Sequence, residues 1–252
     1  MTSNKLVSLS VSPWSERAKW ALDHHGVAYR IVEHIPIVGE RRLRRLVGPH
    51  KPRATVPILI AGAEVFSESW EIARYADRVG EGTPLVAREH VGEIQRWQAI
   101  ADDAMNAGRA IIVSRTIDSD GSLDENAPPI APRWMRPLLR PVTRLAMRAF
   151  GRKYGVGRID HEWATNAMRG ALAELRRALA GERYVLGTFS YADVAMATLL
   201  QGISPVDNRF VRLGPATRKV WTHDVLAAEF ADLVAWRDAL YEAHRGKRVR
   251  SK

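Results

Sequence analysis

The chain of 252 residues contains no cysteine. This absence excludes disulfide bonds, thiolate metal ligands and a cysteine nucleophile, and it fits a reducing compartment. Long apolar runs are also missing, so the sequence predicts no transmembrane helix. Residues 1–14, MTSNKLVSLSVSPW, lack the apolar core and the small-residue cleavage site of a secretory signal. We therefore expect a soluble protein of the cytoplasm.

The chain has a formal net charge of +10, and acidic residues are absent from its longest basic segment. Residues 127–159 contain eight arginines or lysines and no acid, and two further basic clusters span 40–53 and 244–252. Such patches attract anionic ligands, nucleic acid or membrane surfaces. No zinc knuckle, aromatic RNA-binding strand or basic zipper accompanies them. We therefore expect no nucleic-acid partner.

The first 80 residues alternate between strand-like and helix-like patterns. Strands are predicted at 5–10, 29–34, 55–60 and 63–66, and helices at 15–25, 39–47 and 67–80. The order β-α-β-α-β-β-α describes a small open sheet covered by helices. Segment 81–88, EGTPLVAR, has the composition of a linker. We predict an α/β domain over 1–80, this linker, and an all-helical domain over 89–252.

The helical domain has four predicted helices, at 89–112, 160–180, 191–202 and 224–244. A basic insertion around 115–158 separates the first two, and its polar, Pro-rich part at 116–132 predicts an exposed loop. Arginines then recur at steps of three and four from Arg133 to Arg152, which lines one face of a helix. Pro137 and Pro141 predict that the regular helix starts near 141. We favour a solvated face of this domain over a membrane-surface helix.

A short turn between the first strand and the first helix carries the most informative motif. Its Ser12-x-x-Ser15 spacing stands where a dithiol protein has Cys-x-x-Cys. Further signals follow in order: a helix exit at Gly26, Val56-Pro57 at a strand start, Glu68-Ser69 at a helix start, and SYADVAMA at 190–197. Together they resemble the cytosolic glutathione transferases over almost the whole chain. The turn is most similar to the zeta, theta and omega classes, with Ser12 where the omega class has its cysteine.

The resemblance implies a thioredoxin-like α/β N-terminal domain, an all-α C-terminal helical domain, glutathione as co-substrate and a homodimer. The function that it implies is activation of the glutathione thiolate for attack on a hydrophobic electrophile, as in detoxification. An alternative on the same scaffold is a non-catalytic binding protein whose basic insertion contacts an acidic partner or a membrane surface. The thiol also stays open between glutathione and another low-molecular-weight thiol.

Ser12 is the first candidate for the hydroxyl that stabilises the thiolate, and Ser15 is the second. In this family the glutathione thiol lies at the N-terminus of the first helix, where backbone N–H groups and the helix dipole favour an anion. A hydroxyl adds a charge-assisted hydrogen bond. Because serine is also a preferred N-cap, we expect one serine to face the ligand and the other to cap the helix. Arg17 would add positive potential or form a surface ion pair.

The same resemblance implies further contacts with glutathione. Val56 would bind the cysteinyl backbone through its own N–H and C=O groups, and its peptide bond to Pro57 would be cis. Glu68 would bind the γ-glutamyl ammonium group, and Ser69 would bind the α-carboxylate together with the helix N-terminus. These assignments fit the chemistry of each group.

The remaining candidates are less sharply defined. Lys51 and Arg53 are alternatives for the cation that binds the glycine carboxylate. The electrophile pocket would draw on Trp14, Trp97, Met105 and Trp163, although aromatic residues at helical spacing are more often core residues. The histidines lack ligand spacing, so we expect no metal site. Ser190-x-x-Asp193 predicts a capping box with a folding role.

Overall fold

The computed structural model describes residues 4–36, 39–48, 54–128, 130–156 and 160–245. The candidates Lys51 and Arg53 therefore lie outside the described residues. The chain forms two compact units. The first contains the described residues of 1–99, 179–198 and 235–252, and the second contains those of 100–178 and 199–234. The first unit joins residues from both sides of the boundary near 81, so the predicted domain limits stay a prediction.

A four-stranded sheet lies in the first unit. Its strands are β1 (Asn4–Ser8), β2 (Tyr29–Glu33), β3 (Ile58–Ala61) and β4 (Glu64–Phe66), in the spatial order β2-β1-β3-β4. β1 pairs in parallel with β2, whereas β3 runs antiparallel to both β1 and β4. The adjacent residues Leu6 and Val7 of β1 are both buried, as are Ile58 and Leu59 of β3. Both faces of these two strands are therefore covered.

Three helices accompany this sheet: α1 (Pro13–His24), α2 (Glu40–Val47) and α3 (Ser69–Val79). α1 and α3 lie side by side and bury apolar side chains that include Trp20 and Ile72. Gly26, just after α1, has a φ of 63°, a left-handed conformation that glycine adopts without a Cβ clash. The observed order of strands and helices confirms the β-α-β-α-β-β-α order expected from the sequence.

Helices make up the regular structure of the chain after this α/β part. In chain order they are α4 (Val91–Asp118), α5 (Asp120–Glu125), α6 (Arg136–Lys153), α7 (His161–Leu179), α8 (Tyr191–Leu199), α9 (Pro215–Trp221), α10 (Asp224–Glu229) and α11 (Ala231–His244). The predicted fold class, a thioredoxin-like α/β part followed by a helical region, is confirmed. Across the described ranges, no helix is long and apolar enough to cross a membrane.

The polar part of the insertion is more helical than predicted. The exposed loop expected over 116–132 is wrong, because α4 continues to Asp118 and α5 follows it directly. Ser119 caps α5 by accepting the Ser122 N–H at 3.3 Å. Serine at an N-cap with an acidic first turn stabilises even a short polar helix.

α6 begins at Arg136 rather than near residue 141. Pro137 lies in the first turn, where a helix needs no N–H partner. Pro141 lies inside the helix and removes the donor for the carbonyl of Pro137. Both prolines are exposed, so water can bind the carbonyl group that lacks its intrahelical partner.

Two differences concern the last helices. The sequence prediction misses α9, although Pro215 follows Gly214 as a typical helix start. The helix predicted over 224–244 is divided, because Phe230 has φ and ψ of −118° and 36° and separates α10 from α11. The Phe230 side chain is buried, so core packing sets this break.

The predicted linker over 81–88 is bound tightly to α3. The two carboxylate oxygens of Asp77 accept the N–H groups of Leu85 and Val86, each at 2.9 Å. His25 Nε2 lies 2.6 Å from Asp77 Oδ1. Burial alone raises the pKa of Asp77, but the hydrogen bonds from His25, Leu85 and Val86 lower it below its usual value. This segment is therefore part of the first unit rather than a free connection.

The arginines of α6 do not form one solvated stripe. Arg140 contacts Asp124 at 2.6 Å and Asp120 at 2.9 Å, and Arg144 contacts Asp120 at 3.0 Å. The hydrogen bond from Arg140 lowers the pKa of the Asp124 carboxyl. These two arginines are paired with α5, so the continuous basic stripe expected from the sequence is interrupted at its centre.

Candidate functional site

The turn between β1 and α1 is tied together by its two serines. Ser12 is the N-cap of α1, and its Oγ accepts the Ser15 N–H at 3.4 Å. Ser15 is fully buried, and its Oγ accepts the Leu9 N–H at 3.2 Å. Ser12 is half-buried, and its O–H donates to no residue in the described part of the chain. The expected division of roles is therefore corrected: the capping serine is also the accessible one.

Most backbone donors at the start of α1 are already used. Pro13 has no N–H, the Ser15 N–H binds Ser12 Oγ, and the Glu16 N–H binds the Ser12 carbonyl at 2.9 Å. The positive end of the helix dipole remains. The Ser12 hydroxyl, which can accept from Ser15 and still donate its own hydrogen, is a donor that an anion can use here.

The sheet topology brings three candidate segments to one edge. β1 and β4 are both antiparallel to β3, so their carboxyl ends share the edge where β3 begins. Ser12 follows β1, Glu68 and Ser69 follow β4, and Val56–Pro57 precedes β3. The edge therefore gathers Ser12 with the segments predicted to bind the peptide backbone and the γ-glutamyl end of glutathione.

The Val56–Pro57 peptide bond is cis, as the resemblance implied. In the pairing of β1 with β3, Val7 lies opposite Ile58. Continuing this register places Val56 beside Leu9, in the turn that leads to Ser12. Val56 makes no hydrogen bond to another described residue. Its backbone groups are therefore available at the sheet edge.

The start of α3 is built around a chain of short polar residues. Glu68 is the N-cap in extended conformation, its side chain is exposed, and Ser69 is buried as the first helical residue. The Ser67 N–H donates to Glu71 Oε2 at 2.9 Å. Glu71 in the first turn thus binds the backbone just before the N-cap, and the side chain of Glu68 makes no capping hydrogen bond.

A buried ionic cluster holds α1 from its other side. Arg245 Nε donates to Glu16 Oε1 at 2.6 Å, and Arg245 Nη1 donates to Asp23 Oδ2. Lys19 lies 3.9 Å from Glu16 and donates to the Ser10 carbonyl at 3.3 Å. All of these charged side chains are buried. The sequence analysis missed this cluster, although Glu16 and Asp23 lie seven residues apart on one face of α1.

Arg17 does not have the surface role that the sequence offered as one of its two alternatives. Its side chain is fully buried, so it forms no surface ion pair. Arg17 Nε donates to Thr198 Oγ1 at 2.8 Å, and Nη2 donates to the Ala195 carbonyl at 3.3 Å. Arg17 therefore joins the first turn of α1 to α8, and it supports the position of Ser12 rather than facing a ligand.

The four candidates for an electrophile pocket differ in exposure. Trp14 is half-buried and lies two residues after Ser12. Trp97 is buried in the first unit, and Met105 is buried in the second. Trp163 is 58% exposed and borders a cleft of about 610 Å³ between α4 and α7 in the second unit. Their assignment to one electrophile pocket stays a prediction.

Within the described ranges, no group of three or more histidine or acidic side chains has an arrangement that holds a metal ion.

The class of this protein is thioredoxin-like with a helical continuation. It is defined by the sheet, the cis-proline before β3 and the helix that Ser12 caps. Comparison with known proteins shows what parts of the chain are similar to. Residues 11–79 match the glutathione S-transferase N-terminal domain family. A probable glutathione S-transferase of Solanum tuberosum is 29% identical over 89 residues, which is 35% of this chain. The matching part spans only 40% of that relative's length.

Solved structures extend the likeness to the helical region. A glutathione transferase of Phanerochaete chrysosporium superposes with a TM-score of 0.65 at 17% identity, covering 97% of this chain and 98% of its own. One of Ceriporiopsis subvermispora, solved in complex with glutathione, gives 0.63 at 16% identity, covering 98% and 99%. At these identities the superpositions show the fold. The sequence likeness is therefore confined to the N-terminal part, and the likeness over the whole chain is one of fold.

Proposed function

We propose that the protein is a serine-type glutathione transferase, similar to the zeta, theta and omega classes, that activates glutathione for attack on a small electrophile. The observation that carries the proposal is the half-buried Ser12 hydroxyl at the N-terminus of α1, with no acceptor among the described residues. Structural neighbours solved with glutathione support glutathione as the ligand in this proposal. A cytoplasmic homodimer is part of the same proposal.

The energetics of thiolate formation fit this arrangement. Lowering a thiol pKa from about 8.5 to about 6.5 requires roughly 2.7 kcal/mol. A hydrogen bond to a charged group contributes about 1.5–3 kcal/mol, and a helix N-terminus adds about 0.3–1 kcal/mol. One hydroxyl and one helix end are therefore of the required size. The substrate brings the sulfur, which explains why a protein without cysteine can carry out thiol chemistry.

The edge residues would divide the work of binding and reaction. Val56 would bind the cysteinyl backbone, Glu68 and Ser69 the γ-glutamyl end, and Lys51 or Arg53 the glycine carboxylate. The thiol proton leaves to water, and the Ser12 O–H donates to the sulfur anion. The thiolate then forms a bond to the electrophilic carbon, and the leaving group departs with the electrons of the bond that breaks. A mixed disulfide with the protein is excluded, because the chain has no cysteine.

Replacing Ser12 with alanine tests the proposal directly. We expect the pKa of bound glutathione to rise and kcat/KM for an aryl halide at neutral pH to fall by about 10- to 100-fold, because one charge-assisted hydrogen bond is lost. Calorimetry should show that glutathione affinity changes much less. The thiol pKa is read from the ultraviolet absorbance of the thiolate as the pH is varied.

Two serines of the same turn serve as controls. Ser10→Ala changes an exposed hydroxyl and should leave both the thiol pKa and kcat/KM unchanged. Ser15→Ala should lower stability by about 1 kcal/mol without moving the thiol pKa. A protein that binds no glutathione at millimolar concentration would refute the transferase proposal. A thiol pKa that moves in Ser15→Ala and not in Ser12→Ala would give the role to Ser15.

A further inference from the structure

The insertion presents an apolar stripe to solvent. The apolar stripe consists of Ile130, Trp134, Leu138, Val142 and Leu145, each of which exposes between 62% and 93% of its surface. The last three lie on α6 at steps of four and three, so they share one face of the helix. Three large apolar side chains in one row on α6, with exposed Ile130 and Trp134 shortly before it in the chain, are unlike the scattered apolar residues of an ordinary surface, and a patch of this kind marks an interaction site.

The contacts of α6 with its own unit fix the stripe on the outside. Arg140 and Arg144 turn toward Asp120 and Asp124 on α5, as described above. Gly151 is buried, and a Cβ added there would lie 3.3 Å from Val113 Cγ1 of α4. Rotating α6 to bury the stripe would break these ion pairs and separate this close contact. The exposure of the stripe therefore follows from how the other face of α6 is anchored.

Cations continue and border the apolar stripe. Arg148 and Arg152 follow Leu145 at steps of three and four, so they extend the same face of α6, and Arg133 precedes Trp134. All three arginines are exposed, and none forms an ion pair within the described part of the chain. The sequence over 127–159 contains no acid. On α5, Asp120 and Asp124 are bound to Arg140 and Arg144, and Glu125 accepts the N–H groups of Ala216 and Thr217. The surface that surrounds the stripe is therefore positive.

We propose that this face of α6 docks on an anionic membrane surface, with the helix lying in the plane of the interface. An apolar row of leucine, valine and tryptophan that enters the acyl boundary, next to arginines that reach the headgroups, is the pattern of an interfacial helix. α6 has 18 residues, so it presents a row of about 27 Å. A second copy of the chain is a poor occupant, because its own face would bring Arg148 and Arg152 against like charges.

An acidic protein is also a weaker candidate than a lipid surface. It would need an apolar groove with acidic groups placed beside both ends of one straight helix. A bilayer with anionic lipids offers an apolar layer and negative charge at every point. The proposal is independent of the chemistry at Ser12, since none of its residues belongs to the edge site.

Vesicle flotation with the full chain tests the docking surface. Wild-type protein should bind vesicles of phosphatidylcholine with about 30% phosphatidylglycerol, bind pure phosphatidylcholine much less, and dissociate as salt is raised. The double variants Leu138→Gln/Leu145→Gln and Arg148→Gln/Arg152→Gln should each lower the partition coefficient by about 30-fold. Brominated lipid should quench Trp134, and Trp134→Phe should remove that part of the quenching.

Matched substitutions on other helices separate docking from general surface effects. Val142 and Val225 are both 62% exposed, so Val142→Gln should weaken binding and Val225→Gln should not. Arg177→Gln on α7 is the control for charge. Failure of the wild type to bind anionic vesicles would overturn the proposal, as would equal binding by the variants. A change of oligomeric state in Leu138→Gln/Leu145→Gln without vesicle binding would assign the stripe to a second copy. Activity toward glutathione should stay unchanged in every variant.

Discussion

Replacing Arg245 with alanine is expected to lower the free energy of unfolding by about 3–5 kcal/mol. The variant leaves Glu16 and Asp23 buried without the guanidinium group that binds both of them. Burial alone would lower the pKa of Arg245, but the two carboxylates hold it well above its usual range. The cation therefore stays charged at any pH at which the protein folds, and its removal cannot be compensated by a proton on the arginine side.

Urea unfolding, followed by circular dichroism, measures this loss. Arg177→Ala is the control, because Arg177 is exposed and its Nε donates only to the Ala173 carbonyl of its own helix. It should change the free energy of unfolding by less than about 0.5 kcal/mol. The triple variant Glu16→Gln/Asp23→Asn/Arg245→Met should recover part of the lost stability, because neither carboxylate remains buried without the arginine, while Lys19 keeps its hydrogen bond to the Ser10 carbonyl. A loss below about 1 kcal/mol in Arg245→Ala would show that the cluster is not holding α1.

The buried ionic cluster around Arg245 also affects the candidate site at Ser12. Glu16 lies in the first turn of α1, four residues after Ser12, and Arg17 in the same turn is bound to α8. Two buried arginines therefore hold the start of α1: Arg245, which binds Glu16, and Arg17 of α1 itself, which binds α8. Arg245→Ala should raise the KM for glutathione as well as lower stability, because the cap at Ser12 depends on the first turn.

Whether a feature could be predicted from the sequence depends on how far apart along the chain its interacting residues lie. The α/β elements were predicted because their signals are local: apolar alternation in the strands, and a capping serine with a proline at the start of α1. The partners of the buried charges are not local. Glu16 and Arg245 are 229 residues apart, and Arg17 and Thr198 are 181 residues apart. No window of sequence contains both members of either pair.

The insertion shows the same limit in another form. Considered alone, the acidic sequence of α5 is typical of an exposed loop, and the spacing of the α6 arginines is typical of one basic stripe. Each set satisfies the other in the fold, since Asp120 and Asp124 bind Arg140 and Arg144. The apolar residues between those arginines are then left outside. Residue types therefore predicted a charged surface, whereas the pairing of charges decides which face is apolar.

Replacing Asp193 with alanine should lower the free energy of unfolding by about 2–5 kcal/mol. Asp193 is fully buried and accepts the N–H groups of Val185 and Ser190, each at 2.8 Å, and the Ser190 hydroxyl at 2.9 Å. The carboxylate reaches back to Ser190 N–H as the capping box predicted, although the Ser190 hydroxyl donates to the carboxylate instead of capping an N–H. Alanine leaves all three donors without a partner at the start of α8.

The same residue gives a pH dependence of defined sign. Burial raises the pKa of Asp193 to about 6, against the opposing effect of its hydrogen bonds. The unfolded value is about 3.9, so the folded state binds the proton more tightly between these two values. The stability that this proton contributes is fully present below pH of about 4 and is lost as the pH rises through about 6, by about 3 kcal/mol in total.

Asp193→Asn isolates this effect, because asparagine does not titrate. We expect the free energy of unfolding of the wild type, measured relative to Asp193→Asn, to fall between pH of about 4 and about 6. The exposed acid Asp118 at the end of α4 provides the control, and Asp118→Asn should leave the slope of the wild type unchanged. A parallel pH profile for wild type and Asp193→Asn would contradict the raised pKa.

α8 also supplies the Ala195 and Thr198 groups that bind Arg17, so loss of the capping carboxylate of Asp193 should also displace the turn that contains Ser12. Asp193→Ala is therefore expected to raise the KM for glutathione, although Asp193 is not part of the edge site.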